Sequence, residues 1–241
     1  MKGIRDYMDR DMIKWFRSPV SVISMLVMPA AWLIFVGLAL PVKFTGNYLD
    51  FITPGILVMT MLSSSLQGGA LLMFDKILGF LNKFLALPTP RESILLGKIM
   101  FITIRGVIQA TIILMIATLI GASILGPFQY GMIYLILILF GILMSSVATT
   151  IALYLGDHDS YAAVNTMISM PLFFTSSALM PYDVMPPWLR AIAVCNPLSY
   201  AIDAVRSIGT SHIPSFQIGL LAVIGGIVLV ICMKMFRRVT V

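Results

Sequence analysis

Apolar runs long enough to cross a bilayer recur along this chain, with short polar breaks between them. They fall at about 20–40, 52–73, 99–121, 132–155, 162–179 and 216–235. A helix needs about 20 such residues to cross the hydrocarbon core, so the pattern predicts six transmembrane helices. Pro29 and Pro171 lie inside the first and fifth runs, where proline is tolerated and kinks a helix. The breaks are a polar link at 41–50, a Gly126-Pro127 turn and the tight turn Gly156-Asp157-His158-Asp159; such glycine and proline pairs mark chain reversals.

Three stretches have a different pattern. In 2–18, Ile4, Met8, Met12 and Trp15 recur near helical spacing, with Arg5, Asp6, Asp9, Arg10 and Lys14 between them. This predicts an interfacial amphipathic helix with an aromatic anchor; a helix that only caps the domain is the alternative, and the two are compatible. In the connector 74–98, Phe74, Leu78, Leu81 and Leu85 form one stripe, with Asp75, Lys76, Asn82 and Lys83 off it. Leu87-Pro88-Thr89-Pro90 then reverses the chain, and Thr89 or Ser93 is a candidate cap for the helix that continues to Lys98. In 181–207, Pro181, Pro186, Pro187 and Pro197 cut the chain into pieces too short to span. Met185, Trp188, Leu189, Ile192 and Ala193 make one apolar face, and Leu198, Ala201, Ile202 and Val205 make another. Two short re-entrant helices fit this pattern, provided they pack on protein; a hairpin lying flat on the surface is the alternative.

Composition agrees with a membrane protein. The chain is 59% hydrophobic and 11% charged over 241 residues, where a soluble domain carries about a quarter charged residues. No stretch remains for a soluble domain, so 1–241 reads as one all-α, multi-pass membrane domain. The net charge of +6 calls for no nucleic acid, because the basic residues sit beside the spans. Across six spans, twelve Lys and Arg fall on the face that holds both termini and the connector, against Lys43, Arg190 and Arg206 on the other. Positive residues favour the cytoplasm, which predicts both termini inside. Cys195 and Cys232 are then too far apart to pair, and the charged N-terminus does not have the form of a cleavable signal peptide.

Chemistry is sparse. Thr53, Thr60, Ser64 and Gln67 form a polar stripe on the second span; Asn165, Ser169 and Ser176 form one on the fifth. Such stripes face protein or water rather than acyl chains, so they line a translocation route or serve helix packing. No carboxylate lies deep in a span, as a proton- or sodium-driven carrier usually requires. Arg105, about a turn and a half into the third span, is expected to snorkel to the headgroups. His158 and His212 are placed for no shared metal, and no intramembrane hydrolase motif is present. There is no G-x-x-x-x-G-K-[ST]: Gly97-Lys98 is followed by Ile99. No cofactor is expected in this chain, and it needs an outside energy source. The connector, with the acidic 156–160 turn on the same face, is where a soluble partner would act; a plain amphipathic loop helix is the alternative.

Four stretches carry a resemblance: KWFRSPVSVI at 14–23, FITPGILVMTML at 51–62, FDKILGFLNKFLALPTPRESILLGK at 74–98 and SALMPYDVMPPWLRAIAVCNPLSYAIDAVR at 177–206. The chain resembles the type-2 ATP-binding-cassette exporter permeases of the drug-resistance and polysaccharide-export kind. The resemblance implies a plasma-membrane permease paired with a second copy or a similar permease. It implies two cytoplasmic ATPase subunits that carry the ATP-Mg. Coupling contacts would come from Asp75, Lys76, Phe80, Lys83, Arg91 and Glu92 of the connector and from Asp157, His158 and Asp159. The second and fifth spans would flank a route for an amphipathic or lipid-like substrate, a drug, lipid or lipid-linked glycan, moving outward. A membrane assembly or scaffold subunit without a transport path is the competing reading.

Overall fold

The computed structural model describes residues 2–37, 48–85, 90–209 and 213–238; the side chains at 2, 3, 6, 36, 82, 84, 85 and 91 are outside the description. The predicted link at 41–50 is therefore described only from Tyr48, and Lys43, the break at 86–89 and His212 lie outside the described residues. Every regular element among the described residues is helical. In chain order they are α1 (Lys2–Phe16), α2 (Pro19–Ala31) with a π-helical extension (Trp32–Val36), α3 (Tyr48–Ile77), α4 (Phe80–Leu85), α5 (Arg91–Ile120), α6 (Pro127–Tyr154), α7 (His158–Phe174), a 3₁₀ turn (Tyr182–Val184), α8 (Pro187–Cys195), α9 (Pro197–Gly209) and α10 (Ser215–Arg238).

Proline sets several of these starts. Pro19, Pro127 and Pro187 each occupy the first turn of a helix, where the missing N–H costs nothing and φ is already helical. Pro29 lies within α2, and the π-helical turn follows it directly, consistent with the local widening that an interrupted hydrogen-bond ladder produces.

Among the described residues, four helices are long and apolar enough to cross a membrane: α3, α5, α6 and α10. The C-terminal part of α1 and the α2 segment add a fifth if that pair, bent by 81°, counts as one. α7, at 17 residues, is shorter than the predicted fifth span, because the chain leaves the helix at Thr175 for a turn stabilised by the Ser176 hydroxyl donating to the Phe173 carbonyl.

α3 is the central column. Leu57, Val58, Met61 and Leu62 are buried there, and it packs on α5, α6, α7 and α9. Close approach depends on small residues. A Cβ on Gly68 would strike Ile102, and one on Gly69 would strike the Tyr161 hydroxyl and the Ala148 carbonyl. The outer helices are the reverse: α2 exposes Val20, Ile23 and Val27, and α10 exposes Val223, Ile227 and Val230, as lipid-facing helices do. Of the two predicted short helices, α9 buries Leu198, Ala201, Ile202 and Val205 against the bundle. The α8 face is split: Met185 and Ala193 are buried, while Trp188 and Ile192 are exposed.

Candidate functional site

The connector folds differently from its stripe pattern. Phe74, Asp75, Lys76 and Ile77 are the last residues of α3 rather than the start of a surface helix. The helix stops at Gly79, whose φ of +71° suits glycine and few other residues. α4, six residues long, follows. The break splits the apolar stripe: Leu81 is buried, while Phe74, Leu78 and Phe80 are exposed. Lys83 is also exposed, with its ammonium 5.5 Å from the Phe80 ring centroid.

The second predicted contact lies beside it. Asp157 caps α7, accepting from the Ser160 N–H and hydroxyl at 2.7 Å each. These bonds hold its exposed carboxyl below the usual carboxylate range, since hydrogen bonds to the charged form favour it. The His158 ring stacks on Phe74 at 4.5 Å between centroids. Lys76 donates to the Leu153 and Leu155 carbonyls at 2.7 and 2.8 Å, closing the C-terminal end of α6. The structure therefore brings Lys76, Phe80, Lys83, Asp157, His158 and Asp159 to one end of the bundle, with Phe80, Lys83, Asp157 and Asp159 exposed.

Asp75 and Glu92 are placed otherwise. Asp75 is buried and accepts from Lys98 at 2.5 Å and from Arg10 at 3.3 Å. Lys98 also donates to Asp11 at 2.8 Å, and Arg10 donates to Asp11 at 2.8 Å. This four-member ion cluster ties α1 to the end of α3 and the start of α5. Glu92 pairs with Arg237, joining the start of α5 to the end of α10. Arg91 opens α5. The cluster was missed in the sequence, but it left a trace. Met8, Asp11, Met12 and Trp15 share one helical face, and a carboxylate on an apolar stripe needs a buried cation.

The polar stripes are not brought together along one channel. Thr53 and Thr60 are buried and donate to carbonyls four residues back in α3, at 2.6 and 2.7 Å. Ser64, also buried, lies against α5, where Arg105 donates to its carbonyl at 2.6 Å and to its hydroxyl at 3.3 Å. Ser64 thus joins two helices, while Thr53 also faces the cavity beside Phe51 and Arg206. Gln67, Asn165 and Ser169 are half-buried, and Ser176 is buried in the turn after α7.

Arg105 corrects an expectation. It does not snorkel: it is fully buried, over the Phe101 ring at 5.6 Å. α5 begins at Arg91, so Arg105 lies about 21 Å along the helix at 1.5 Å per residue. α1 also crosses the early part of α5, its Ile4 carbonyl seated on Gly97, where a Cβ would come within 2.8 Å. The Arg105 guanidinium is instead held inward by the Ser64 carbonyl and hydroxyl.

The opposite end holds a second polar network. Asp203 of α9 accepts from the Ser177 and Tyr182 hydroxyls at 2.7 Å each. Arg206 donates to the Ser177 and Phe51 carbonyls at 3.0 and 3.2 Å and lies 4.0 Å from the Phe51 ring centroid. Burial and the nearby Asp203 carboxylate push the Tyr182 phenol up to about 12. Asp50 accepts from the Ser123 N–H and hydroxyl at 2.7 and 2.6 Å, beside a cavity of about 350 Å³ that Arg206, Tyr130 and Phe51 also line. Cys195 and Cys232 are free.

Comparison with known proteins places this geometry. The profile of the ABC-2 type transporter family matches residues 4–209. A protein described as transport permease ycf38 of Cyanophora paradoxa is 37% identical over 200 residues, covering 79% of this chain and 68% of that one. The daunorubicin resistance ABC transporter permease protein DrrB1 of Streptomyces coeruleorubidus is 26% identical over 238 residues, covering 95% and 84%. The inner membrane transport permease YadH of Escherichia coli K12 is 23% identical over 199 residues, covering 80% and 76%.

Proposed function

The chain belongs to the ABC-2 type transporter family, as a multi-pass membrane permease, and from that premise we propose that it is the membrane half of an ATP-driven exporter. In this reading α2 and α7 cross the membrane with the four longer helices, giving six spans. The end that carries α1, α4 and the Asp157 turn faces the cytoplasm of a plasma-membrane protein. Two separate ATPase subunits bind and hydrolyse ATP-Mg and dock there. The observation that carries the proposal is the end of α3: Gly79 sets off a short helix with exposed Phe80 and Lys83, Phe74 just before it stacks on His158, and Lys76 fastens α3 to the end of α6.

A second copy, or a similar permease, covers the exposed α7 face of Met167, Met170 and Phe174, and substrate passes along that seam. The names of the drug-resistance relatives support an amphipathic or lipid-like cargo moved outward. ATPase closure would bias two packings of that seam, as two-state switching requires.

The test is reconstitution in vesicles with a cassette ATPase that co-purifies with it. Phe80→Ala and Lys83→Glu should abolish substrate-stimulated hydrolysis without shifting the melting temperature. Stimulation as strong as in the parent protein in both variants, or transport by the permease alone, would refute the proposal.

A further inference from the structure

At the basic end, α1, α2, α3 and α5 enclose a cavity of about 270 Å³. Its walls are mixed. Met25, Leu71, Leu78 and Phe101 are apolar, and Lys14, Lys98, Arg105, Asp11 and Asp75 are charged. Both carboxylates are already spent, each on Lys98 and Arg10. Arg105 and Lys14 touch no carboxylate among the described residues, which leaves the cavity with uncompensated positive charge.

Its hydrogen-bond inventory is just as lopsided. Arg105 Nη1 and Trp15 Nε1 are buried with no acceptor. Arg105 is bonded to Ser64 and feels the Asp11 carboxylate, which is itself shared with Lys98 and Arg10; buried donors are normally satisfied, and its Nη1 is not. Donors outnumber acceptors here, and the carboxylates are shared among several cations, a lining that suits an anion.

We propose that this cavity binds a phosphate group, presented by an anionic lipid of the adjacent leaflet. Arg105 is the central cation, with Lys14 at the exposed side and Trp15 as a second donor. A guanidinium matches phosphate oxygens in charge and in donor geometry. The volume is that of about nine waters at 30 Å³ each. It takes a headgroup and its first carbons and excludes the acyl chains. Those chains have a surface to lie on, because α2 lines the cavity with Ser21 and Met25 and exposes Val20, Ile23 and Val27 on its outer side. The inference stands apart from transport and from the ATPase contact, since it concerns what completes one permease chain.

The purified, delipidated permease is melted with phosphatidylglycerol, phosphatidylcholine or inorganic phosphate, and bound lipid is counted by native mass spectrometry. Phosphatidylglycerol should raise the melting temperature and remain as one bound molecule; phosphatidylcholine should do neither. Ser21→Trp, which fills the cavity and keeps every charge, should lose the bound lipid. Lys14→Gln, at an exposed position, should retain it several-fold less and melt normally without lipid. Equal protection by phosphatidylcholine, or full retention in both variants, would overturn the proposal. Protection by inorganic phosphate equal to that by phosphatidylglycerol would overturn the lipid source.

Discussion

Lys98 is the residue whose loss should cost this fold most at the basic end. It is nearly inaccessible and lies between two carboxylates, Asp11 at 2.8 Å and Asp75 at 2.5 Å. At an effective dielectric constant of 20, a unit ion pair at such separations attracts by about 6 kcal/mol. Desolvation of the ions offsets most of that, so the intact cluster contributes little net stability. Removing one member is a different matter. Lys98→Met leaves Asp11 and Asp75 facing each other with only the half-exposed Arg10 between them, and breaking a buried pair in this way costs about 3–5 kcal/mol. Asp75→Asn is milder, because Lys98 keeps Asp11 and Arg10 reaches solvent; a lost charge-assisted hydrogen bond costs about 1.5–3 kcal/mol. The combination Lys98→Met with Asp75→Asn should be less damaging than the sum of the single changes, since the repelling pair is gone. Melting of the detergent-solubilised protein, followed by size-exclusion fluorescence, gives the ranking. If Lys98→Met melts with the parent protein, or if Asp75→Asn is the worse of the two, the cluster does not hold α1, α3 and α5 together as described.

Three further outcomes follow from the same structure. Gly69→Ala should destabilise the α3–α6–α7 contact by about 1–3 kcal/mol through overpacking, because its new methyl meets a backbone carbonyl and the Tyr161 hydroxyl; an unchanged melting temperature would count against that packing. Asp157→Ala should speed hydrogen exchange at the first amides of α7, and in the parent protein the same loosening should appear on acidification: a lowered folded-state pKa gives stability that is present above the unfolded value and lost as pH falls through the folded one. For Tyr182 the sign is reversed, so its bond to Asp203 should persist below pH 10 and fail only as pH approaches about 12, and Tyr182→Phe should remove that alkaline transition from a melting-temperature profile.

The helices were legible because lipid enforces a simple code: long apolar runs, proline at helix starts, charge at the ends. The apolar face of α9, Leu198 through Val205, was read residue for residue, since its period of 3.6 meets a single packing surface. The connector was not. Its stripe is periodic across Gly79, but periodicity is blind to a positive φ, and the break turned Asp75 inward and left Leu78 out. Arg105 was misjudged for a related reason. Snorkelling assumes that the guanidinium finds no partner inside the bundle, and here the Ser64 carbonyl and hydroxyl of α3 hold it there.

These two misreadings share a mechanical consequence. A connector that began as a free surface helix at Phe74 could rock without moving the spans. Here α4 hangs from α3 itself, and α3 is fastened at that same end to α1 and α5 through Asp75 and to α6 through Lys76. A push on Phe80 therefore has no soft joint to spend itself on apart from Gly79. It is transmitted to the most buried helix in the chain and, through that helix, to its neighbours as a body. The parts left freer to shift against that body are α2 and α7, since α10 packs along α6 and is tied to α5 by Arg237 and Glu92. Of these, α7 begins at the Asp157 turn, and its His158 ring rests on Phe74. An ATPase docked there, as proposed, would touch both the central column and α7 at once.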